Sequence, residues 1–229
     1  MWTARVFTLY PELFPGPLGV GLYKKAMDKK IWSLEVVNIR DYATDKHKTV
    51  DDTPFGGGTG MLMRVDVIAN SLDKNISNEN EPIIYLSPKG KKFDQIFAKK
   101  ILDKNINIIC GHFEGVDQRL LETRNIEEVS IGDFVLSGGE IGAFVVIDTI
   151  VRLIPGVLGN SNSLTEETFE RYLLEYPQYT KPQKWEKKYV PYVLLTGDHV
   201  KIKDWRLSQS KDITRRRRAD LWEKYKKNK

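Results

Sequence analysis

The sequence predicts an α/β domain with a mostly parallel β-sheet, followed by a small all-α module. Two observations indicate this fold class. Short apolar segments alternate with amphipathic segments over the first two thirds of the 229-residue chain, and a turn-rich stretch, PGVLGNSNS, then ends the alternation. Alternating strands and helices are typical of domains in which helices cover a parallel sheet.

Five short apolar runs are predicted to be the strands of this sheet. They are RVFTL (5–9), LEVVNI (34–39), PIIYLS (82–87), INIICG (106–111) and a segment near VSIG (129–132). Helices are expected between the third and fourth strands, over residues 91–105, and after the fifth, over residues 140–155. The apolar side chains expected to face the core are Phe93, Ile96, Phe97 and Ile101 in the first helix and Ile141, Phe144, Val145, Val151 and Ile154 in the second.

The turn-rich stretch marks a boundary between two parts of the chain. Beyond it, Ser163 and Glu166 have the S-x-x-E spacing of a capping box, which predicts the start of a helix that Pro177 ends. Its apolar stripe would be Phe169, Tyr172, Leu173 and Tyr176. Asp198 is predicted to cap a further helix. The predicted divisions are a domain of residues 1–159, a linker and its helix over 160–176, and a basic helical domain over 177–229.

The composition excludes several classes of protein. With 41% hydrophobic and 29% charged residues, the chain is typical of a globular protein. No apolar run reaches the roughly 18 to 20 residues of a membrane span. The single cysteine, Cys110, excludes an internal disulfide framework, and three scattered histidines argue against a Cys/His metal site. Because the first residues lack the arrangement of a signal peptide, we expect a cytoplasmic protein with no membrane partner.

The basic residues are concentrated at the C-terminal end. Residues 201–229 contain 12 basic and 4 acidic side chains, whereas residues 1–200 carry a small net negative charge. Within this end, the run Arg215–Arg218 is followed by Trp222 and Tyr225, a mixture suited to binding a polyanion through its phosphates. On charge alone, a solvated helix face explains the run equally well.

The segment FGGGTGMLM, residues 55–63, has four glycines in nine positions. Glycine lets a backbone approach a ligand closely. The spacing is neither that of a Walker loop nor that of a dinucleotide-binding loop. A nucleotide hydrolase is excluded because no lysine in the tract would bind a phosphate.

Three further glycine-bearing loops lie at or near the ends of predicted strands. They are YLSPKG (85–90), CGHFEGVD (110–117) and SIGDFVLSGGE (130–140). Ligands of α/β sheets bind outside the carboxyl ends of strands, so the three loops predict one shared pocket. Because the third loop has no lysine or arginine and offers backbone amides and an apolar wall, the expected ligand is a neutral flat ring.

These motifs, in this order and at these distances, resemble the bacterial TrmD family of tRNA (guanine-N1)-methyltransferases, of the SPOUT class. Further matching segments are TVDDTPFGGGTGMLM, RLIPGVLG and TKP…VPYVLLTGDH…WRLSQS. The resemblance spans nearly the whole chain. It implies a trefoil-knotted parallel sheet with flanking helices, a homodimer whose active sites lie between subunits, and a helical C-terminal domain that binds tRNA.

The resemblance also implies the binding residues. S-adenosylmethionine, the methyl donor, would contact Tyr85, Leu86, Ser87, Pro88, Gly111, Glu114, Gly115, Ile131, Gly132, Asp133, Phe134, Val135, Leu136, Gly138 and Gly139. The target guanine would lie beside Asp51, Gly57 and Gly58, and Arg215 and Arg216 would contact the tRNA.

The implied reaction methylates N1 of the guanosine on the 3′ side of the anticodon, tRNA position 37. Glu167 stands where the family has the aspartate that removes the N1 proton, and Arg152 matches the arginine that stabilises charge on guanine O6. An intrahelical pair between Arg152 and Asp148 is the structural alternative. Mg²⁺ is associated with the family, and Glu114 or Glu167 would be its candidate ligands.

Besides Glu167, five positions depart from the family pattern. They are His112, Phe113, Phe134, Gly142 and Gln178, which replace arginine, tyrosine, tyrosine, proline and histidine. We expect these changes to alter affinity and to leave the chemistry unchanged. The alternative functions are a non-catalytic RNA-binding protein on the same fold and a related methyltransferase with another RNA target.

Overall fold

The computed structural model describes residues 1–158 and 168–228. The chain divides into two compact units, Met1–Gly159 and Asn160–Lys229. The first is an α/β unit and the second is mostly helical, in agreement with the predicted fold class.

A five-stranded sheet forms the centre of the first unit. In chain order, the strands of this unit are β1 Trp2–Thr8, β2 Trp32–Asn38, β3 Asp51–Asp52, β4 Leu62–Met63, β5 Ile83–Lys92, β6 Ile106–Ile109 and β7 Ile126–Ser130. The five longer strands pair in the order β2-β1-β6-β5-β7, and all of their pairings are parallel. Each of the five predicted strands is therefore confirmed. The two-residue strands β3 and β4 form a separate antiparallel pair.

Five α-helices accompany the sheet. They are α1 Gly21–Asp28, α2 Val65–Asn75, α3 Gln95–Ile101, α4 Gln118–Thr123 and α5 Glu140–Val151. The helices predicted over 91–105 and 140–155 correspond to α3 and α5. Buried strand residues such as Phe7, Ile108 and Ile109 form the centre of the core. They are apolar because helices that pack on a parallel sheet remove its strands from water.

The buried faces of the two predicted helices differ from expectation. Ile96 is 61% exposed, and Ile141 and Val145 are 59% and 44% exposed. In α5 the buried residues include Val146, Ile147, Ile150 and Val151. Because α5 is apolar on nearly every side, its periodicity does not identify the face that packs on the sheet.

The segment YLSPKG belongs to β5 and is not a separate loop. The pairing register of β5 with β7 shifts between Leu86 and Lys91. At Gly90 a Cβ atom would lie 2.3 Å from the backbone nitrogen of Val129, so only glycine fits this close approach. Pro88 supplies no backbone donor, which also prevents regular pairing here. The pairing of β5 with β7 is therefore interrupted at the carboxyl edge of the sheet.

The second unit contains a short hairpin and two helices. These elements are β8 Lys184–Trp185, β9 Lys188–Tyr189, α6 His199–Arg217 and α7 Ala219–Lys227. Asp198 caps α6 as predicted, because its carboxylate accepts a hydrogen bond of 3.1 Å from the backbone N–H of Lys201.

The helix predicted to end at Pro177 is absent from its described part, residues 168–176. A three-residue 3₁₀ turn, Glu170–Tyr172, takes its place, and Phe169 and Arg171 have left-handed backbone angles with φ of 76° and 53°. The capping-box residues Ser163 and Glu166 lie outside the described residues. Of the predicted apolar stripe, Leu173 is buried and Phe169 is 47% exposed, so the stripe does not form a single buried face.

Candidate functional site

A cavity of about 280 Å³ lies at the carboxyl edge of the sheet. The irregular part of β5 and the loops that follow β6 and β7 form it. The shared pocket predicted from the three glycine-bearing segments is therefore confirmed. Fourteen of the fifteen predicted donor-binding residues line the cavity. They are Tyr85, Leu86, Ser87, Pro88, Gly111, Glu114, Gly115, Ile131, Gly132, Phe134, Val135, Leu136, Gly138 and Gly139. Asp133, which is also described, does not line it.

Glycines allow two of the loops to pass each other in backbone contact. The N–H of Gly139 donates a hydrogen bond of 3.0 Å to the carbonyl of Gly111. A Cβ atom on Gly139 would lie 2.6 Å from Cα of Cys110, and one on Gly138 would lie 2.2 Å from the imidazole of His112. Side chains at these positions would force the loops apart.

The charged groups in the cavity wall favour a ligand with positive charge. Among the described wall residues, the carboxylates are Glu114 and Glu128 and the lone lysine is Lys89. Burial, followed by the charge of Glu128, raises the pKa of Tyr85, so this phenol stays protonated at neutral pH. Apolar side chains such as Leu86 and Phe134 form the rest of the wall. The cavity therefore suits a flat apolar ring joined to a cationic group.

A buried polar cluster lies behind the cavity, and no sequence pattern predicted it. The Glu140 carboxylate is 3% exposed, accepts a hydrogen bond of 2.5 Å from the Thr8 hydroxyl, and lies 2.9 Å from Nε2 of His112. Burial and the nearby Glu140 charge raise the pKa of Cys110 well above its usual value, so this thiol is protonated. The cluster joins the end of β1, the second loop and the start of α5. The one signal in the sequence was a glutamate directly after Gly138 and Gly139.

The glycine tract packs beside the same cavity. The N–H of Glu114 donates to the carbonyl of Met61 at 2.9 Å, and the N–H of Met63 donates to the carbonyl of Gly115 at 3.0 Å. Gly60 has a φ of 116°, and a Cβ atom there would lie 2.6 Å from a carboxylate oxygen of Glu114. The tract therefore adjoins the cavity through backbone contacts at its C-terminal end.

The predicted substrate residues of the tract lie on its exposed side. Gly57 and Gly58 are exposed and have φ of 78° and 139°. Asp51, which precedes the tract in β3, pairs with Met63 in β4, and this pairing closes the loop that contains the glycines. Phe55, in this loop, is 97% exposed. This part of the tract is open to a large ligand.

Of the two predicted catalytic residues, the structure describes Arg152 but not Glu167. Arg152 is the residue at the C-terminal cap of α5. Glu167 lies within 159–167, outside the described residues. Asp148, the alternative partner of Arg152, accepts a hydrogen bond from the Tyr23 hydroxyl. Burial and this carboxylate raise the pKa of Tyr23 to about 12, and the charge of Arg152 opposes the shift.

The predicted RNA-contacting arginines lie at the end of α6. Arg215 and Arg216 are exposed, and both guanidinium groups contact the carboxylate of Asp212, at 3.3 and 2.5 Å. The Trp222 and Tyr225 rings stack in α7, with centroids 5.4 Å apart. This end of the unit presents cations beside aromatic rings.

Neither a metal cluster nor a membrane span is found over residues 1–158 and 168–228. Within these ranges, no group of three or more His, Cys, Asp or Glu side chains is placed to hold a metal ion. None of the helices described there is both long and apolar enough to cross a bilayer.

Comparison with known proteins identifies the family. A family model described as tRNA (Guanine-1)-methyltransferase TrmD matches residues 1–224. A protein of Pelagibacter ubique named tRNA (guanine-N(1)-)-methyltransferase is 69% identical, with 100% of both chains covered. Relatives of the same name from Bartonella tribocorum and Rhodospirillum rubrum are 54% and 50% identical, covering 98% and 97% of this chain and 97% and 93% of theirs. The chain belongs to the TrmD family of tRNA (guanine-N1)-methyltransferases.

Proposed function

We propose that this protein transfers a methyl group from S-adenosylmethionine to N1 of the guanosine on the 3′ side of the tRNA anticodon, position 37. The observation that carries the proposal is the cavity at the sheet edge, which the family's three glycine-bearing segments build together. The full-length similarity to proteins named for this activity supports the same reaction.

The cavity has the properties that the donor needs. S-adenosylmethionine supplies an electrophilic methyl group on a positively charged sulfur. Gly111 and Gly138 bring the backbone into the cavity wall, where an adenine ring would bind, and Leu86 and Ile131 add apolar contacts. Glu114 and Glu128 favour the positive charges of the donor electrostatically. The fourteen predicted residues that line the cavity, together with Asp133 next to it, are therefore our proposed donor-binding residues.

Proton removal requires a base, because N1 of guanine carries a proton at neutral pH. We assign this role to Glu167, which keeps the charge of the family's aspartate and is longer by one methylene. A positioned carboxylate of this kind is typically worth about 10² to 10⁴ in rate. Arg152 would stabilise negative charge on guanine O6 and orient the carboxylate. Glu114 and Glu167 remain the candidate Mg²⁺ ligands, and we assign no step to a metal ion.

The tRNA would contact both parts of the chain. The exposed glycines Gly57 and Gly58, together with Asp51, belong to a segment whose C-terminal end contacts the cavity wall, and they are our proposed contacts to the target guanine. Arg215 and Arg216 would bind phosphates, since both are exposed and cationic. These roles correspond to a donor-binding domain over 1–159, a linker over 160–176 and a tRNA-binding domain over 177–229.

A homodimer with active sites between its subunits is the proposed assembly. Five apolar side chains next to or near the cavity are at least 44% exposed, namely Phe113, Phe134, Val135, Ile141 and Val145. A contiguous exposed apolar surface typically marks a protein interface. A second copy packed on this surface would bury these side chains and close the open side of the cavity. The proposed substrate and the single cysteine favour a cytoplasmic location.

A methylation assay with paired substrates tests the proposed function. The purified protein is incubated with labelled S-adenosylmethionine and either of two transcripts of one tRNA, with guanosine or adenosine at position 37. We expect label only in the guanosine transcript, at N1 of position 37. Equal labelling would show another RNA target, and tight binding of both transcripts without label would show a non-catalytic RNA-binding protein.

A further inference from the structure

The second unit has a cavity of its own, of about 480 Å³. It lies between the segment before the hairpin, the 3₁₀ turn Tyr192–Leu195 after it, and the first half of α6. Its volume is within the range of about 300 to 1,000 Å³ typical of small-molecule sites. The wall consists of Tyr176, Pro177, Gln178, Tyr179, Thr180, Lys181, Gln183, Val190, Leu194, Leu195, Ile202, Trp205 and Arg206.

Aromatic and cationic groups are paired in this wall. The rings of Tyr179 and Trp205 have centroids 6.3 Å apart and planes inclined at 54°. The guanidinium of Arg206 lies 4.8 Å from the centroid of the Tyr176 ring. Tyr179 is 48% exposed, so one ring is presented at the mouth of the cavity. Aromatic faces and guanidinium planes are the groups on which proteins stack unpaired bases.

The charge around the cavity is positive. Among the described wall residues, Lys181 and Arg206 are charged and none is acidic. The adjoining hairpin adds Lys184, Lys187 and Lys188 with a single acid, Glu186. A polyanion is therefore favoured over an apolar peptide as the occupant.

The wall also carries groups that can recognise a base edge. Gln183 offers an amide donor and acceptor, and Thr180 offers a hydroxyl. Gln178 donates one N–H to the Glu175 carboxylate at 2.6 Å and keeps its amide oxygen and second N–H for a base edge. Val190, Leu194 and Ile202 form an apolar floor against which a flat ring packs. A phosphate alone would need neither the amides nor this floor.

We propose that this cavity binds an unpaired base of the RNA substrate. The base stacks on Tyr179 and Trp205, the amide side chains contact its edge, and Lys181 and Arg206 face its phosphate. The inference rests on the proposed function, because RNA is the ligand in both. It adds a recognition site that is separate from the arginines at the end of α6, whose phosphate contacts carry no sequence information.

Tyr179→Ala tests the stacking contact, with Tyr192→Ala as the matched control. Tyr192 is 81% exposed, belongs to the same unit and does not line the cavity. Loss of base stacking is worth about 1 to 3 kcal/mol, so Tyr179→Ala should weaken tRNA binding between about 5-fold and 150-fold. Donor affinity, measured by calorimetry on the full-length chain, should stay unchanged and shows that the variant is folded.

Salt dependence distinguishes stacking from phosphate contact. The slope of log affinity against log salt should be the same for Tyr179→Ala and the wild type, because no phosphate contact is removed. Arg215→Ala should lower the magnitude of that slope by about one. A direct readout is photo-crosslinking of tRNA that contains 4-thiouridine at unpaired positions, with adducts expected at Tyr179 or Trp205.

Three results would overturn the inference. The first is that Tyr179→Ala binds tRNA with wild-type affinity. The second is that every crosslink lies outside the cavity wall. The third is a weakened dimer with unchanged RNA affinity, which would show that a second copy occupies the cavity. If the wild type binds and crosslinks tRNA through the cavity without methylating it, the proposed function fails and this inference stands. If the wild type methylates tRNA normally and Tyr179→Ala binds tRNA as tightly as the wild type, the proposed function stands and this inference fails.

Discussion

At the scale of single residues, a few buried or partly buried polar contacts hold the elements around the site in place. Tyr23 in α1 donates to Asp148 in α5, four residues before Arg152. Thr8 at the end of β1 and His112 in the second loop both contact Glu140 at the start of α5. Each contact joins elements that are far apart in sequence, so its loss would loosen one end of α5.

Removal of the Tyr23 hydroxyl is expected to reduce stability in a pH-dependent way. Tyr23→Phe leaves the Asp148 carboxylate without this donor, which should cost about 1 to 2 kcal/mol of unfolding free energy near pH 8. The folded-state pKa of Tyr23 is raised from 10.0 to about 12, so the contribution is complete below pH 10 and is lost as the pH rises through 12. Urea unfolding at pH 8 and pH 11 measures this.

Tyr192→Phe is the control, because this side chain is 81% exposed. It should match the wild type at both pH values. The expectation is wrong if the stability difference between Tyr23→Phe and the wild type stays constant, or grows, from pH 8 to pH 11.

At the scale of elements, the cavity exists because two loops touch through their backbones. Gly139 has an ordinary φ of −77°, so glycine is required there by space and not by backbone conformation. The nearest atoms to a Cβ would be Cα of Cys110 at 2.6 Å and N of Gly111 at 3.0 Å. Both are backbone atoms, which cannot rotate away as the end of a side chain can.

Gly139→Ala is therefore expected to separate the loops and damage the donor cavity. We expect a cost of about 1 to 3 kcal/mol in stability, as for other overpacked sites, and at least a tenfold loss of donor affinity. Calorimetric titration with S-adenosylmethionine and urea unfolding measure the two effects.

Gly21→Ala provides the comparison for this prediction. Gly21 has a φ of 60°, and a Cβ atom there would meet nothing within 4 Å, so alanine adds backbone strain without a collision. It should lower stability and leave donor affinity unchanged. Equal donor affinity in Gly139→Ala and the wild type would mean that the loop contact does not shape the cavity.

At the scale of the whole molecule, we propose that one active site takes parts from two copies of the chain. If Arg152 and Glu167 of one site come from different subunits, Arg152→Ala and Glu167→Gln homodimers are each inactive. A random mixture of the two then contains heterodimers with one intact site, which restores about a quarter of wild-type activity. Tritium transfer to tRNA after co-refolding of the two variants measures this.

The single variants define the roles within that experiment. Glu167→Gln should abolish transfer and keep donor binding, because it removes the base and leaves the cavity intact. Loss of both activities together would mean that the role is wrongly assigned. No recovery of activity on mixing, with heterodimers verified by two affinity tags, would contradict a site shared between subunits.

The sequence by itself determined the five strands, the α/β class of the first unit and the helical class of the second. It also determined the three segments that build the cavity, because short apolar runs and glycine spacing are local signals. It also carried the family resemblance. Tertiary structure decided which face of α5 is buried, since that helix is apolar on nearly every side. Over residues 168–176, the described part of the helix predicted before Pro177, the chain forms a 3₁₀ turn instead. Only the folded chain brings Thr8, His112 and Glu140 together, because no local pattern links residues 132 positions apart in sequence.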